Sequence, residues 1–256
     1  MIIPGAAQAS KNVIAWADRP EWKGLRSRVL DEHFSAARRA LGGESTRVAE
    51  KLGDDYFTLA VVCALEDFFS RRFGEENVNI IDDYLKRRGW REAVPGRRYL
   101  SALRDSSMSL YEVVEVDRNE HLVLRDLLRG GDGIKVEDRR GSQTAEVGDR
   151  MGARVLVVNN HPVLSAGILS FPTDVATVME ATFQRSIDAV RDHAIANARE
   201  DEKVGEITSE QWRQVVVQRS AVVFTQNWLA YIMAVAAGVT AGDRSPGEST
   251  PDKTEP

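Results

Sequence analysis

An α+β fold is what this sequence predicts: an N-terminal helical region, a small central antiparallel β-barrel-like sheet of about five strands, and C-terminal helices. Three observations support it. Alternating apolar residues, punctuated by turn residues, are confined to Ser107–Pro172. Helical spacing of apolar residues fills both flanks. A chain of 256 residues with 43% hydrophobic content can bury a substantial core. The regions expected are 1–106 (helical), 107–172 (β-barrel-like), 173–240 (helical) and 241–256, a Pro-, Ser- and Thr-rich tail expected to be disordered.

The first twenty residues carry little periodic signal. Glu21–Leu41 reads as an amphipathic helix with Trp22, Leu25, Val29 and Phe34 near helical spacing, ended by Gly42-Gly43. A short helix is expected over Ser45–Leu52. Asp54-Asp55 opens Tyr56–Phe73, which is apolar on most of its surface and so belongs at the centre of its region; Cys63 inside it reads as a small buried hydrophobe. Val78–Arg88 presents Ile81 and Leu85 inward, its last turn is basic, and Gly89 is placed to end it. Pro95 suits the first turn of a helix running to Asp105.

In the β-region, Ser109–Asp117 alternates, with Leu110, Val114 and Val116 on one face and Tyr111 and Val113 on the other. A turn at Arg118-Asn119-Glu120 leads to His121–Arg129. Gly130-Gly131-Asp132-Gly133 supplies positive-φ residues before Ile134–Glu137. Ala153–Val158 and Val163–Phe171 complete the set, separated by Asn159-Asn160-His161-Pro162. An oligonucleotide-binding or SH3-like barrel is the nearest analogy, and it concerns fold alone.

Pro172-Thr173-Asp174 is a helix start, followed by Val175, Val178, Met179, Phe183, Ile187 and Val190 on one face. Arg199–Gly205 is a charged connection, and Thr208 with Gln211 forms a capping box for the helix carrying Trp212, Val215 and Val216. Ser220–Gly242 lacks charge and is long enough to span a bilayer, the alternative to a buried core helix. Thr225-Gln226-Asn227 interrupts its apolar run, and the core helix is the reading taken.

Ile81-Asp82-Asp83-Tyr84-Leu85-Lys86-Arg87-Arg88-Gly89-Trp90, Pro95-Gly96-Arg97-Arg98-Tyr99-Leu100 and Met108-Ser109-Leu110-Tyr111-Glu112-Val113 occur in that order. Leu124-Arg125-Asp126-Leu127-Leu128 and Ala153-Arg154-Val155 follow, with an echo at Phe224–Leu229. Across Asn79–Pro172 the chain resembles the bacterial SEC-C motif-containing proteins. Members with that label carry a cysteine-rich zinc motif; Cys63 stands alone here, so the resemblance implies architecture and a bacterial setting but no zinc function.

The net charge of −5 gives no global field toward nucleic acid, so such binding needs a local patch. One cysteine excludes an internal disulfide and multi-cysteine zinc sites, which fits the cytoplasm. The N-terminus, Met1-Ile2-Ile3-Pro4-Gly5, lacks the pattern of a signal peptide.

The sharpest patch is Lys86, Arg87, Arg88, Trp90, Arg91, Arg97, Arg98 and Tyr99, with Tyr84, Arg71, Arg72 and Arg104 as possible neighbours. Cations interleaved with aromatics suit phosphates and bases, or an acidic protein surface. The plainer reading is a favourable helix C-terminus with Trp90 packed inward and Asp82, Asp83 and Glu92 diluting the charge. His33, His121, His161 and His193 lack metal-ligand spacing and read as surface or turn residues. Gly130-Gly131-Asp132-Gly133 precedes a strand and so is not a phosphate loop, and Ser165-Ala166-Gly167 lacks a nucleophile-elbow context.

A non-enzymatic binding or scaffold module without metal or cofactor is therefore expected, with nucleic acid or an acidic protein as partner. Two alternatives stand beside it. One is a metal-dependent hydrolase or nuclease using Asp126, Glu137 and Asp138 with Lys135 nearby. The other is a homo-oligomer or assembly subunit whose apolar C-terminal helix is covered by a partner.

Overall fold

The computed structural model describes residues 3–43, 45–197 and 207–238. The charged connection at Arg199–Gly205 and the tail from Ser245 to Pro256 lie outside the described residues.

Six helices precede the sheet: α1 (Ala6–Trp16), α2 (Pro20–Ala40), α3 (Ser45–Leu52), α4 (Asp54–Ser70), α5 (Ile80–Arg88) and α6 (Val94–Arg104). The first lies in the stretch that carries little periodic signal in the sequence. Ala9, Val13 and Trp16 bury one stripe at i, i+4 and i+7, a pattern blurred in sequence because one member is alanine. The Asn79 side chain caps α5, accepting from the Ile81 and Asp82 amides at 2.8 and 3.1 Å. Its own amide group donates to the carbonyls of Phe69 and Arg71, which ties the start of α5 to the end of α4. Gly89 does not close α5 with a left-handed turn. Its φ is −55°, and it opens a 3₁₀ turn, Gly89–Arg91.

The strands are β1 (Ser109–Asp117), β2 (His121–Asp126), β3 (Ile134–Val136), β4 (Arg150–Ala153), β5 (Val155–Val158), β6 (His161–Leu164) and β7 (Leu169–Phe171). A short helix, α7 (Gly141–Thr144), lies between β3 and β4. An antiparallel sheet of five strands runs in the order β3-β2-β1-β4-β7, and β5 and β6 form a separate hairpin. The sheet is not closed, so the barrel expectation is corrected to an open sheet plus a hairpin. The cause is visible at Arg154. The strand expected over Ala153–Val158 is interrupted there: Ala153 belongs to β4, which pairs with β1 and β7, and Val155–Val158 pairs with β6 instead. The hairpin turn is Asn159-Asn160, both at positive φ, as a tight two-residue connection requires. At the far edge Pro172 follows β7, and its missing N–H removes a donor for further pairing.

A second correction concerns β1. Its register with β2 shifts between Val113 and Glu115, so a bulge at Val114 reverses the alternation. Val116 therefore packs with Tyr111 and Val113 rather than with Leu110.

Among the described residues three helices follow: α8 (Thr173–Asn197), α9 (Ser209–Val217) and α10 (Ala221–Ala236). The capping box of α9 is present, Thr208 accepting from Gln211 N at 3.2 Å and Gln211 accepting from Thr208 N at 2.7 Å. On α8 the buried stripe is Ala176, Met179, Phe183 and Ile187; Val178 and Val190 are exposed, as is Val215 on α9. α10 packs in the core through Phe224, Trp228, Leu229 and Ile232, and no helix among the described residues is long and apolar enough to cross a membrane.

The core crosses the expected regional boundaries. One cluster joins Phe34, Val48 and Ala60 to Leu110, Phe171, Phe183 and Trp228. A second packs the N-terminal helices against Leu156, Val158 and Val163 of the hairpin. The third fills the space between sheet and hairpin with Tyr111, Val113, Leu122, Leu124, Val136 and Met151. The hairpin is thus held between helices on one side and the sheet on the other.

Candidate functional site

Two places concentrate chemistry: a surface built on α5, the 3₁₀ turn and α6, and a sealed cluster of charges where α2, α4 and α10 meet the Arg154 corner.

The surface is anchored by Asp83. Its carboxylate accepts from the indole N–H of Trp16 at 2.8 Å and of Trp22 at 3.1 Å, fixing α5 against α1 and α2. Burial alone would raise this carboxyl, but the two indoles and Arg87 outweigh it and hold its pKa below the ordinary value. The 3₁₀ turn is fixed by Arg97, whose guanidinium donates to the carbonyls of Gly89 at 3.2 Å and Glu92 at 2.9 Å. Glu92 turns inward, accepting from Asn12 at 2.7 Å and from the Tyr84 hydroxyl. What this rigid turn presents is Trp90, 70% exposed, with the Arg91 guanidinium 4.9 Å from its ring centroid.

The eight predicted site residues thus divide. Lys86, Arg87, Trp90, Arg91 and Arg98 are exposed, while Arg88 is half-buried beside Trp16. Arg97 is half-buried and holds the turn. Tyr99 is buried in the core, as is Tyr84, so neither is available for stacking, and burial pushes the Tyr99 hydroxyl pKa up. The inward packing expected for Trp90 is overturned. Arg71 pairs with Asp67 and Glu32, and both Arg72 and Arg104 pair with Asp82, so these three do not extend the patch. No carboxylate among the described residues pairs with Lys86, Arg88 or Arg91, and Glu92, expected to dilute their field, is buried.

Beyond Arg97 the surface continues into a groove of about 350 Å³ between α6 and β5, lined by Arg98, Ser101, Val157 and Asn159 among others. Arg98 donates to Asn159 Oδ1 at 2.5 Å, and Val157 is 60% exposed. The acid at its edge, Asp105, is already held by Arg104 at 2.6 Å.

The sealed cluster was invisible in the sequence. Asp67 accepts from His33 Nε2 at 3.0 Å and Arg71 Nε at 2.8 Å, and Arg154 pairs with its other oxygen at 3.3 Å. His33 is buried, contrary to the surface reading, and its Nδ1 lies 3.0 Å from Thr225 Oγ1. Burial would raise the Asp67 carboxyl; the His33 bond, Arg154 and Arg71 reverse that and bring its pKa down to about 2.

Beside it, Glu66 accepts from Ser165 Oγ at 2.8 Å and from the amides of Ala166 and Gly167 at 3.0 and 3.3 Å. Burial nevertheless raises the Glu66 pKa, with Arg154 and these donors offsetting only part of it. The Ser165–Gly167 stretch is therefore a carboxylate receptor, and it divides the expected Val163–Phe171 strand into β6 and β7. A Cβ on Gly167 would lie 2.7 Å from Glu66 Oε2 and 2.9 Å from Cys63 Sγ, so this close approach requires glycine.

Thr225, His33 and Asp67 have the connectivity of a nucleophile, a base and an orienting acid. All three are buried, and the Thr225 hydroxyl is committed to the Ala221 carbonyl at 3.1 Å. The arrangement clamps three helices and offers no approach to a substrate.

The proposed hydrolytic acids do not converge. Asp126 is buried and accepts from Ser109 Oγ, the amides of Leu128 and Arg129, and the Arg129 guanidinium. Asp138 instead caps the turn into α7 through the amides of Arg140 and Gly141. Glu137 and Lys135 line a separate cleft with His161. Among the described residues the one convergence of three potential metal ligands is Asp117, Glu120 and His121, with both acids exposed at the β1–β2 turn.

No curated protein and no solved structure matches the chain. Residues 64–198 match a family described as one of unknown function, DUF7986. That stretch contains Asn79–Pro172, the region for which a SEC-C relationship is expected from sequence, and the family's description carries no link to those proteins. Because the match takes in more than half of the 256 residues, the chain belongs to the family of unknown function DUF7986.

Proposed function

We propose that this chain is a non-enzymatic binding module that takes a negatively charged partner on the surface formed by α5, the 3₁₀ turn and α6. The observation that supports this most is Trp90, a large aromatic left outside the core by a turn that Arg97 holds in place. Leaving an indole in water forgoes about 2 kcal/mol of burial, an expense that a contact surface explains. The Arg91 guanidinium lies beside it, and Arg91 and the exposed Lys86 on α5 have no carboxylate partner among the described residues, so their charge is available to a ligand. Catalysis is disfavoured by the same geometry: the acids of the β-region are dispersed, and the triad-like cluster is sealed.

Retention on immobilised heparin tests this reading. A chain of net charge −5 is expected to bind the column at low salt through this patch alone and to elute earlier as Arg91→Glu. Flow-through of the wild-type protein at low salt would contradict it.

A further inference from the structure

We infer that the partner is a single-stranded nucleic acid, with one base stacked on Trp90 and the adjoining backbone led by Arg91 and Arg97 toward the groove at Arg98 and Val157. This rests on the anionic-partner reading above and narrows it. Carboxylates of an acidic protein would be served by guanidinium groups alone; a flat, exposed π-face beside them suits a planar ring. One face of the indole already carries the Arg91 guanidinium at 4.9 Å, which leaves the opposite face for a base.

A duplex keeps its bases stacked on one another and cannot offer one to Trp90 without unstacking, which costs a few kcal/mol. An unpaired strand presents its bases without that penalty. The second landing point lies next to the first. Arg97 bonds both Gly89, the residue before Trp90, and Glu92, and it also lines the groove. Within the groove Arg98 supplies a cation for a phosphate, and Val157, 60% exposed, supplies an apolar surface for a second ring or sugar. Asn159, whose side-chain oxygen already accepts from Arg98, is held where its amide N–H₂ is free to meet a base edge. None of these contacts selects a base type, so sequence preference is expected to be weak.

Fluorescence anisotropy on the full chain tests the inference with four probes: single-stranded RNA, single-stranded DNA, the matching DNA duplex and a polyglutamate peptide. The single strands are expected to bind most tightly and to weaken as salt rises. Trp90→Ala is expected to lose about tenfold in affinity or more for the single strands, with unchanged thermal unfolding, and Trp90→Phe to recover part of that loss.

Equal or tighter binding of polyglutamate would overturn the nucleic-acid inference while leaving the anionic-partner reading standing. So would tighter duplex binding, or single-strand affinity indifferent to Trp90→Ala. Binding of no probe at low salt would remove both.

Discussion

Asp67→Ala is expected to cost about 3–5 kcal/mol of folding stability, because it leaves the buried Arg154 guanidinium without its carboxylate and the buried His33 ring without its acceptor. His33 from α2, Arg71 at the end of α4 and Arg154 from the strand corner all converge on this carboxylate. Arg154 is 2% exposed, and without Asp67 its remaining hydrogen-bond partner is Ser106. A typical domain is stable by about 5–15 kcal/mol, so the loss is a large share of the total. Urea denaturation measures it as a shift in midpoint at unchanged slope. Asp188→Ala, which removes an exposed ion pair with Arg191 at 3.2 Å, is the control and is expected to cost under about 1 kcal/mol. A similar midpoint for the two variants would show that the Asp67 cluster does not hold the helices to the strand corner.

The two adjacent acids should respond to pH in opposite directions. Asp67 falls from 3.8 to about 2 in the folded protein, worth about 2 kcal/mol of stability. That contribution is present above pH 3.8 and is lost as pH falls through about 2. Glu66 is raised above 4.5, so its contribution is fully present below that value and is lost as pH rises through the folded pKa. Glu66→Gln keeps an acceptor for the Ala166 and Gly167 amides without the buried charge, and is expected to stabilise the protein at neutral pH. Asp67→Asn is expected to destabilise it there and to flatten the acid limb. Urea midpoints between about pH 3 and about pH 8 check both signs. Loss of stability at neutral pH in Glu66→Gln would contradict the account of this site.

The sequence revealed local periodicities and lost whatever depended on distant partners. Ser109–Asp117 was legible because its β-branched and aromatic residues are interspersed with polar ones at Glu112, Glu115 and Asp117. The bulge at Val114 was not, since one unpaired residue leaves no compositional mark. The Thr208–Gln211 box was legible because both bonds lie within one turn. His33 was misread as a surface residue because its partners, Asp67 and Thr225, stand 34 and 192 positions away. Arg154 illustrates the same limit: nothing beside it in sequence announces that its guanidinium turns inward and separates Ala153, in β4, from β5. In the basic patch the residue types are visible in the sequence, but which aromatic stays outside depends on packing. Tyr84 and Tyr99 face the core from α5 and α6, while the 3₁₀ turn between those helices turns Trp90 out.

The most direct test of the binding surface is the salt dependence of affinity for a single-stranded oligonucleotide, compared between the wild-type chain and Lys86→Ala/Arg91→Ala/Arg98→Ala. These three cations are exposed and not ion-paired among the described residues, so the triple variant should keep its fold. If they meet the ligand's phosphates, the slope of log affinity against log salt should become shallower by about 2. An unchanged slope, with affinity intact, would place the anionic partner elsewhere on the molecule and contradict the account.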